Sequence, residues 1–441
     1  MKIRIIILGL TLAFAGTQAA FSAELKLTVD EAARIALDNN LGLRRAALNT
    51  DTLRRASNRA WNGLSPTLTA GAIVSHPTSI TGAVPPPQDV WTPGFTMSAG
   101  LTLSAATIEN IRRAQADYAA GLLSYEAARQ ELELNVRRLF YQILLLDANR
   151  ELAARNLESA QARYQQSATL ASVGQLSLLD ELMARVDMEN LRPMLKHAEI
   201  LYENALDTLK LILGLPEETV IRLDGNLSRE IAVPESALDF ASMRAQPQES
   251  LETAILRESI RSMEAQRNTV RNSAYIPSLR LAWNSTPLFV DTPLGRSWND
   301  VNGSFSVTLA MSLDSFFPWS AATTQMQALN DAITSTQLQL SDSLRNRDNR
   351  LTQSIRTIER ILESREAMLL NVELAQTSYE MFTDAFTRGV VDYQSLLSAR
   401  NGLEQAENRL LQEQFNLVSA ILDLERELNI PFGTLHYFRG E

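Results

Sequence analysis

The sequence predicts a mainly α fold that carries a membrane β portion, and three observations predict it. A long helical hairpin is written twice, 215 residues apart. Each copy follows a pair of short strands alternating apolar with small polar residues, and the chain opens on an export leader.

The leader comes first. Met1-Lys2-Ile3-Arg4, an apolar run from Ile5 to Ala15 and small residues from Gly16 to Ala23 form the three regions of a secretory signal peptide over 1–23, with cleavage between Ala19 and Ala23. The chain has no cysteine, so the exported protein has no disulfide framework and no lipid-modified cysteine as an anchor. Beyond residue 23 no apolar stretch approaches the roughly 18 residues of a spanning helix. Any membrane attachment must therefore come from the fold itself, without a helical anchor. The formal charge is −10, and −12 once Lys2 and Arg4 leave with the leader, which argues against nucleic acid as a partner because phosphates need a basic face.

The strand pairs follow. From Phe95 to Ser104, Phe95, Met97, Ala99, Leu101 and Leu103 alternate with Thr96, Ser98, Gly100, Thr102 and Ser104; Ser304 to Leu313 repeats the pattern. Fainter partners are Thr67 to Ser75 after Pro66 and Ser278 to Asn284 after Pro277. All four come near the about nine to eleven residues of a tilted membrane strand. The joining loops, His76 to Gly94 and Ser285 to Gly303, hold Trp91 and Trp298, and Phe316, Phe317 and Trp319 suit an interfacial girdle. One alternating strand alone would equally suit a soluble sandwich. Four strands cannot close a barrel of useful bore, and lipid does not tolerate open edges, so spanning strands require several chains in one closed homo-oligomer.

The hairpins carry the duplication. Sliding the chain by 215 positions brings Arg150, Ala160, Tyr164, Gly174 and Ala184-Arg185 onto Arg365, Ala375, Tyr379, Gly389 and Ala399-Arg400, and Leu213 and Pro216 onto Leu428 and Pro431. Apolar residues step by three and four through Leu132, Val136, Leu139, Ile143 and Leu146, and again through Leu351, Ile355, Ile358 and Leu362, a seam for packing against neighbouring helices. Arg150 and Arg365 interrupt it at matching places, as stems along the seam with heads paired to carboxylates. No proline interrupts Thr107 to Leu170 or Ser320 to Arg388, which predicts rods of roughly 100 Å.

Each rod ends at a glycine, Gly174 or Gly389, the usual left-handed terminator. Ser177 with Asp180 forms a capping box at the next helix, and Asp392 is the N-cap in the second copy. Return helices run to Gly214-Leu215-Pro216 and Asn429-Ile430-Pro431, where proline stops them. The expected division is a signal peptide over 1–23, a first repeat over 24–216 and a linker over 217–235. A second repeat over 236–431 and a tail over 432–441 complete it. The strand pairs fall at about 67–104 and 278–313, and the hairpins at about 107–213 and 320–429.

Leu27-Thr28-Val29-Asp30-Glu31-Ala32, Ala36-Leu37-Asp38-Asn39-Asn40, the strand-entry prolines Pro66 and Pro277, the paired turn motifs and Leu211-Ile212-Leu213-Gly214-Leu215-Pro216 resemble the TolC-like outer-membrane efflux proteins, the outer-membrane factors, over essentially the whole mature chain. The resemblance implies a homotrimer in outer-membrane lipid, four strands per protomer closing a 12-stranded β-barrel above a long periplasmic α-barrel. It implies a passive exit duct of a tripartite efflux or type I secretion system, energised by an inner-membrane transporter through a periplasmic adaptor protein. Gly174 and Gly389 would form the tip that adaptors grip. Acids just after the tip turns would ring the entrance: Asp180 fills that position in the first copy, whereas Ser395 and Ser398 stand there in the second. An Asp180 ring would draw cations, and the same residue serves as a cap.

His76, His197 and His436 are isolated, and no HExxH spacing, phosphate-binding glycine loop or nucleophile elbow occurs, so neither enzyme nor cofactor nor metal site is expected. Two alternatives stay open. A periplasmic adaptor would carry one hairpin among several β-domains, and a secreted coiled-coil scaffold would leave the four strands without purpose.

Overall fold

The computed structural model describes residues 25–76, 91–225, 227, 250–286 and 303–435. The signal peptide, most of both strand-joining loops and the end of the tail lie outside them. In chain order the elements are β1 (Leu25–Leu27), α1 (Val29–Asn39), α2 (Leu41–Arg59), a 3₁₀ turn (Ala60–Leu64), β2 (Thr67–Ser75), β3 (Thr92–Leu103), α3 (Ala105–Ser172) and α4 (Leu178–Leu213). Then come β4 (Ile221–Leu223), α5 (Leu251–Tyr275), β5 (Ser278–Ser285), β6 (Gly303–Ala310), a 3₁₀ turn (Asp314–Phe316), α6 (Ala321–Thr387) and α7 (Tyr393–Glu427).

The helices start where side chains can take up orphan amides. Thr28 and Glu31 make a full capping box on α1, and Ser104, Ser250 and Ser320 cap α3, α5 and α6. With 68 and 67 residues, α3 and α6 are rods of about 100 Å. They fold back as α3–α4 and α6–α7. The return helix α4 runs unbroken through Pro193.

The core lies midway along the rods. Val136, Phe140 and Ile143 of α3, Leu209 and Leu213 of α4, Ile355 and Ile358 of α6 and Leu417, Ile421 and Leu424 of α7 pack together with Ala32 and Ala36 of α1. The expected seam residues Val136, Ile143, Ile355 and Ile358 are all fully buried. Each buried Leu, Ile or Phe stabilises by roughly 1.5–3 kcal/mol, which is how rods without a compact core of their own hold together. Of the two seam arginines, Arg150 meets the expectation, pairing with Asp147 at 2.6 Å with its guanidinium 5.3 Å from the Tyr202 ring. Arg365 lies beside Ile361, Met368 and Leu417, without an ion pair among the described residues.

Where a linker was expected, β4 pairs in parallel with β1, Leu25 opposite Ile221 and Leu27 opposite Leu223. Three-residue strands leave no periodic signal. The start of the tail is also placed: the buried Glu425 carboxylate accepts from the amides of Gly433 and Leu435 at 3.0 and 2.8 Å.

β2, β3, β5 and β6 form one antiparallel sheet in that order. Its register puts Leu68, Ala70, Ala72 and Val74 level with Ala99, Met97, Phe95 and Pro93, and Leu279, Leu281 and Trp283 level with Leu309, Val307 and Phe305. The result is one apolar face across all four strands. The other face carries Thr67, Thr69, Thr96, Ser98, Thr102, Ser304, Ser306 and Thr308. The second strand of the second pair is shorter than expected, since Met311 to Leu313 lie beyond β6.

Candidate functional site

Two regions can carry function: the turns at the free ends of the hairpins, and the sheet. At the first turn α3 closes with the Gly174 amide donating to Ala171 and the Gln175 amide to Leu170, at 3.0 and 2.9 Å; at the second, α6 closes with Gly389 to Phe386 and Val390 to Ala385, both 2.9 Å. This is the Schellman pattern, and it needs the left-handed φ of +76° and +70° that glycine supplies. A Cβ at either glycine would meet nothing within 4 Å, so the positive φ is what favours glycine there. The far ends repeat the pattern, with Gly214 at φ 67° and Asn429 at φ 52°. The left-handed residue therefore stops the return helices, two positions before the proline expected to do so.

Beyond the turns, the Ser177 hydroxyl accepts from the Asp180 amide at 3.1 Å and donates to the Asp180 carboxylate at 2.6 Å. That is half of the expected box, since the carboxylate takes the hydroxyl rather than the Ser177 amide. Asp392 is the N-cap of α7, accepting from the Ser395 amide at 3.0 Å; Ser395, by hydroxyl and then by amide, holds this carboxyl below the usual carboxylate range. Ser398 is exposed. None of these residues bridges the two hairpins.

The bridge lies one to two turns further in. Asp187 of α4 accepts from the Arg400 guanidinium at 2.5 Å and from the Tyr393 hydroxyl at 3.0 Å, both on α7. Both charged partners are about nine-tenths buried. Burial, then the charge of Asp187 and its hydrogen bond, push the Tyr393 hydroxyl up to about 12. On the other side Arg163 of α3 donates to the Tyr379 hydroxyl of α6 and sits 5.8 Å from that ring's centre. Ala184, Phe386, Tyr393 and Leu396 pack between these contacts, with Tyr164 and Met183 against them. Thus every helix of both hairpins is tied at this end. Neither Asp187 nor Arg163 stands out in the sequence, because the copies place Gly402 and Ser378 opposite them. Lack of repetition at polar positions on a repeated seam was the available signal.

The sheet is the second region. β2 and β6 are its two unpaired edges, and both are exposed along their length. Leu68, Phe305, Val307 and Leu309 are each more than half exposed, so the apolar face has no cover within one protomer. At the helical end of the sheet stand the exposed Trp61, Phe316, Phe317 and Trp319, the last two stacked at 5.2 Å.

Residues 32–215, from α1 to the end of the first hairpin, match the model of the outer membrane efflux protein family. That match spans less than half of the chain, and over it the chain is similar to that family. Its fold agrees over nearly the whole length with solved channels. The Campylobacter jejuni CmeC outer membrane channel superposes with a TM-score of 0.79 at 15% identity, covering 91% of this chain and 85% of that one. The open state of the Neisseria gonorrhoeae MtrE outer membrane channel gives 0.75 at 17%, covering 91% and 89%, and the Vibrio cholerae outer membrane protein VceC gives 0.74 at 16%, covering 92% and 96%. No curated protein sequence matches the chain.

Proposed function

We propose that three copies of this chain close into one outer-membrane barrel continued by a periplasmic helical tube, and that the assembly is a passive exit duct of a tripartite efflux or type I secretion system. The observation that carries this reading is the four-stranded sheet, apolar on one face, polar on the other and unpaired along both edges. In lipid an open edge leaves backbone groups unsatisfied, at several kcal/mol each, whereas edge-to-edge closure of β2 on β6 of a neighbouring copy pairs them all. Closure turns the apolar face to lipid and the polar face to an aqueous bore.

The chain supplies no energy source of its own, so a periplasmic adaptor and an inner-membrane transporter are the partners this reading requires. The turns at Gly174 and Gly389 are the part that an adaptor meets. Beside them Asp180, one carboxylate oxygen held by Ser177, faces Ser395 and Ser398 in role, so an entrance ring would carry acids from the first copy only. The adaptor and scaffold readings lose ground here, since the hairpin occurs twice, each time behind half of one sheet.

Fractionation of cells, with light scattering on the detergent-extracted particle, tests the reading. The expected result is three chains per particle, recovered with the outer membrane. A soluble periplasmic monomer or dimer would overturn it.

A further inference from the structure

β2, β3, β5 and β6 contain one ionisable side chain among them, Arg280 of β5. The register sets Arg280 between Thr102 of β3 and Thr308 of β6, on the polar face, with Leu279 and Leu281 of the same strand on the apolar face. Its side chain is exposed, and no carboxylate pairs with it among the described residues. It is the third residue of a strand that leaves α5 through Pro277, so it stands about 7 Å above the helical end of the sheet. An arginine on the lipid side at this depth would cost energy, and the alternation places it on the other side.

We infer that Arg280 is a specificity-determining residue for ions and anionic solutes, forming a cationic collar at the junction of helical tube and barrel. The inference rests on the trimeric reading above, which repeats the residue three times around one bore. Everything else on that face of the strands is hydroxyl, amide, alanine or glycine apart from Ile73, so no carboxylate on the strands cancels the field. Rings of arginine or lysine are how pores favour anions. Three unit charges about 10 Å from the axis would enrich a monovalent anion there roughly fourfold at about 0.01 M salt, and scarcely at all at about 1 M. The collar opposes in sign the Asp180 carboxylates at the far end of the tube. A solute leaving through the duct would thus meet the Asp180 charge before the Arg280 charge.

Reversal potentials in planar bilayers under a potassium chloride gradient test this, on wild type, Arg280→Gln and Arg280→Glu, with particle mass measured for each. Low salt should show Arg280→Gln moved toward cation preference by a few-fold in permeability ratio, Arg280→Glu moved further in the same direction, and the differences should vanish near 1 M. Trimeric, conducting variants with unchanged reversal potentials at low salt would overturn the collar and leave the duct intact. A wild-type particle that is not trimeric and does not conduct would overturn both.

Discussion

The two hairpin tips share a backbone and differ in surface. Both use a left-handed glycine in a Schellman turn, followed by a capped return helix. After the first turn, Leu178, Leu179, Leu182 and Val186 lie more than half exposed along α4. The matching positions on α7 are Tyr393, Gln394, Leu397 and Asn401, and there Tyr393 is buried. Arg185 is exposed, while its counterpart Arg400 is 8% exposed. The cause is one substitution across the repeat: Asp187 in the first copy stands where the second has Gly402. At this end Asp187 takes the arginine and the tyrosine of the second copy. Turn residues set the path of the chain in both copies, and unrepeated polar residues decide which tip is tied down.

The largest effect is expected where this asymmetry is removed. Arg400→Met or Asp187→Leu alone strands a buried charge and should cost about 3–5 kcal/mol locally, while the double variant should recover much of the loss. The same change in the first copy, Arg185→Met, should stay within about 0.5 kcal/mol. Hydrogen exchange at the tip measures all four. Equal losses at Arg185 and Arg400 would erase the distinction between the tips.

A smaller effect should fall on both tips alike. Gly174→Val and Gly389→Val each force a β-branched residue into positive φ, at about 1–2 kcal/mol, with open space around the added Cβ. Export of a known cargo should fall for both. Undiminished export by both variants would show that the turns tolerate distortion, and a loss at one alone would mark that tip as the engaged one.

Most of the fold was legible because it is periodic. The rods, their glycine ends and the strand alternation are patterns several residues long, and Val136, Ile143, Ile355 and Ile358 were on the expected seam and are in the core. The β1–β4 pair was not legible, since three residues carry no period and their partners lie almost 200 positions apart. The site divided the same way. Gly174, Gly389 and Asp392 act locally and were found from local signals, as was the Ser177 cap before Asp180. The Asp187–Arg400 pair joins residues 213 apart, and only the packing of four helices brings them together.

The smallest effect concerns protons at the second tip. Burial, and then the charge of Asp187, raise the Tyr393 hydroxyl from 10.0 to about 12. A folded value above the unfolded one means that this group's contribution to stability is complete below pH 10 and is lost as pH rises through about 12. The difference in tyrosinate absorbance between wild type and Tyr393→Phe isolates this one group and should rise with a midpoint near 12. Leu178 occupies the matching place in the first copy, so that tip has no corresponding transition. A midpoint near 10 would mean that water reaches the hydroxyl, and with it Asp187 and Arg400; the second tip would then be as loosely held as the first.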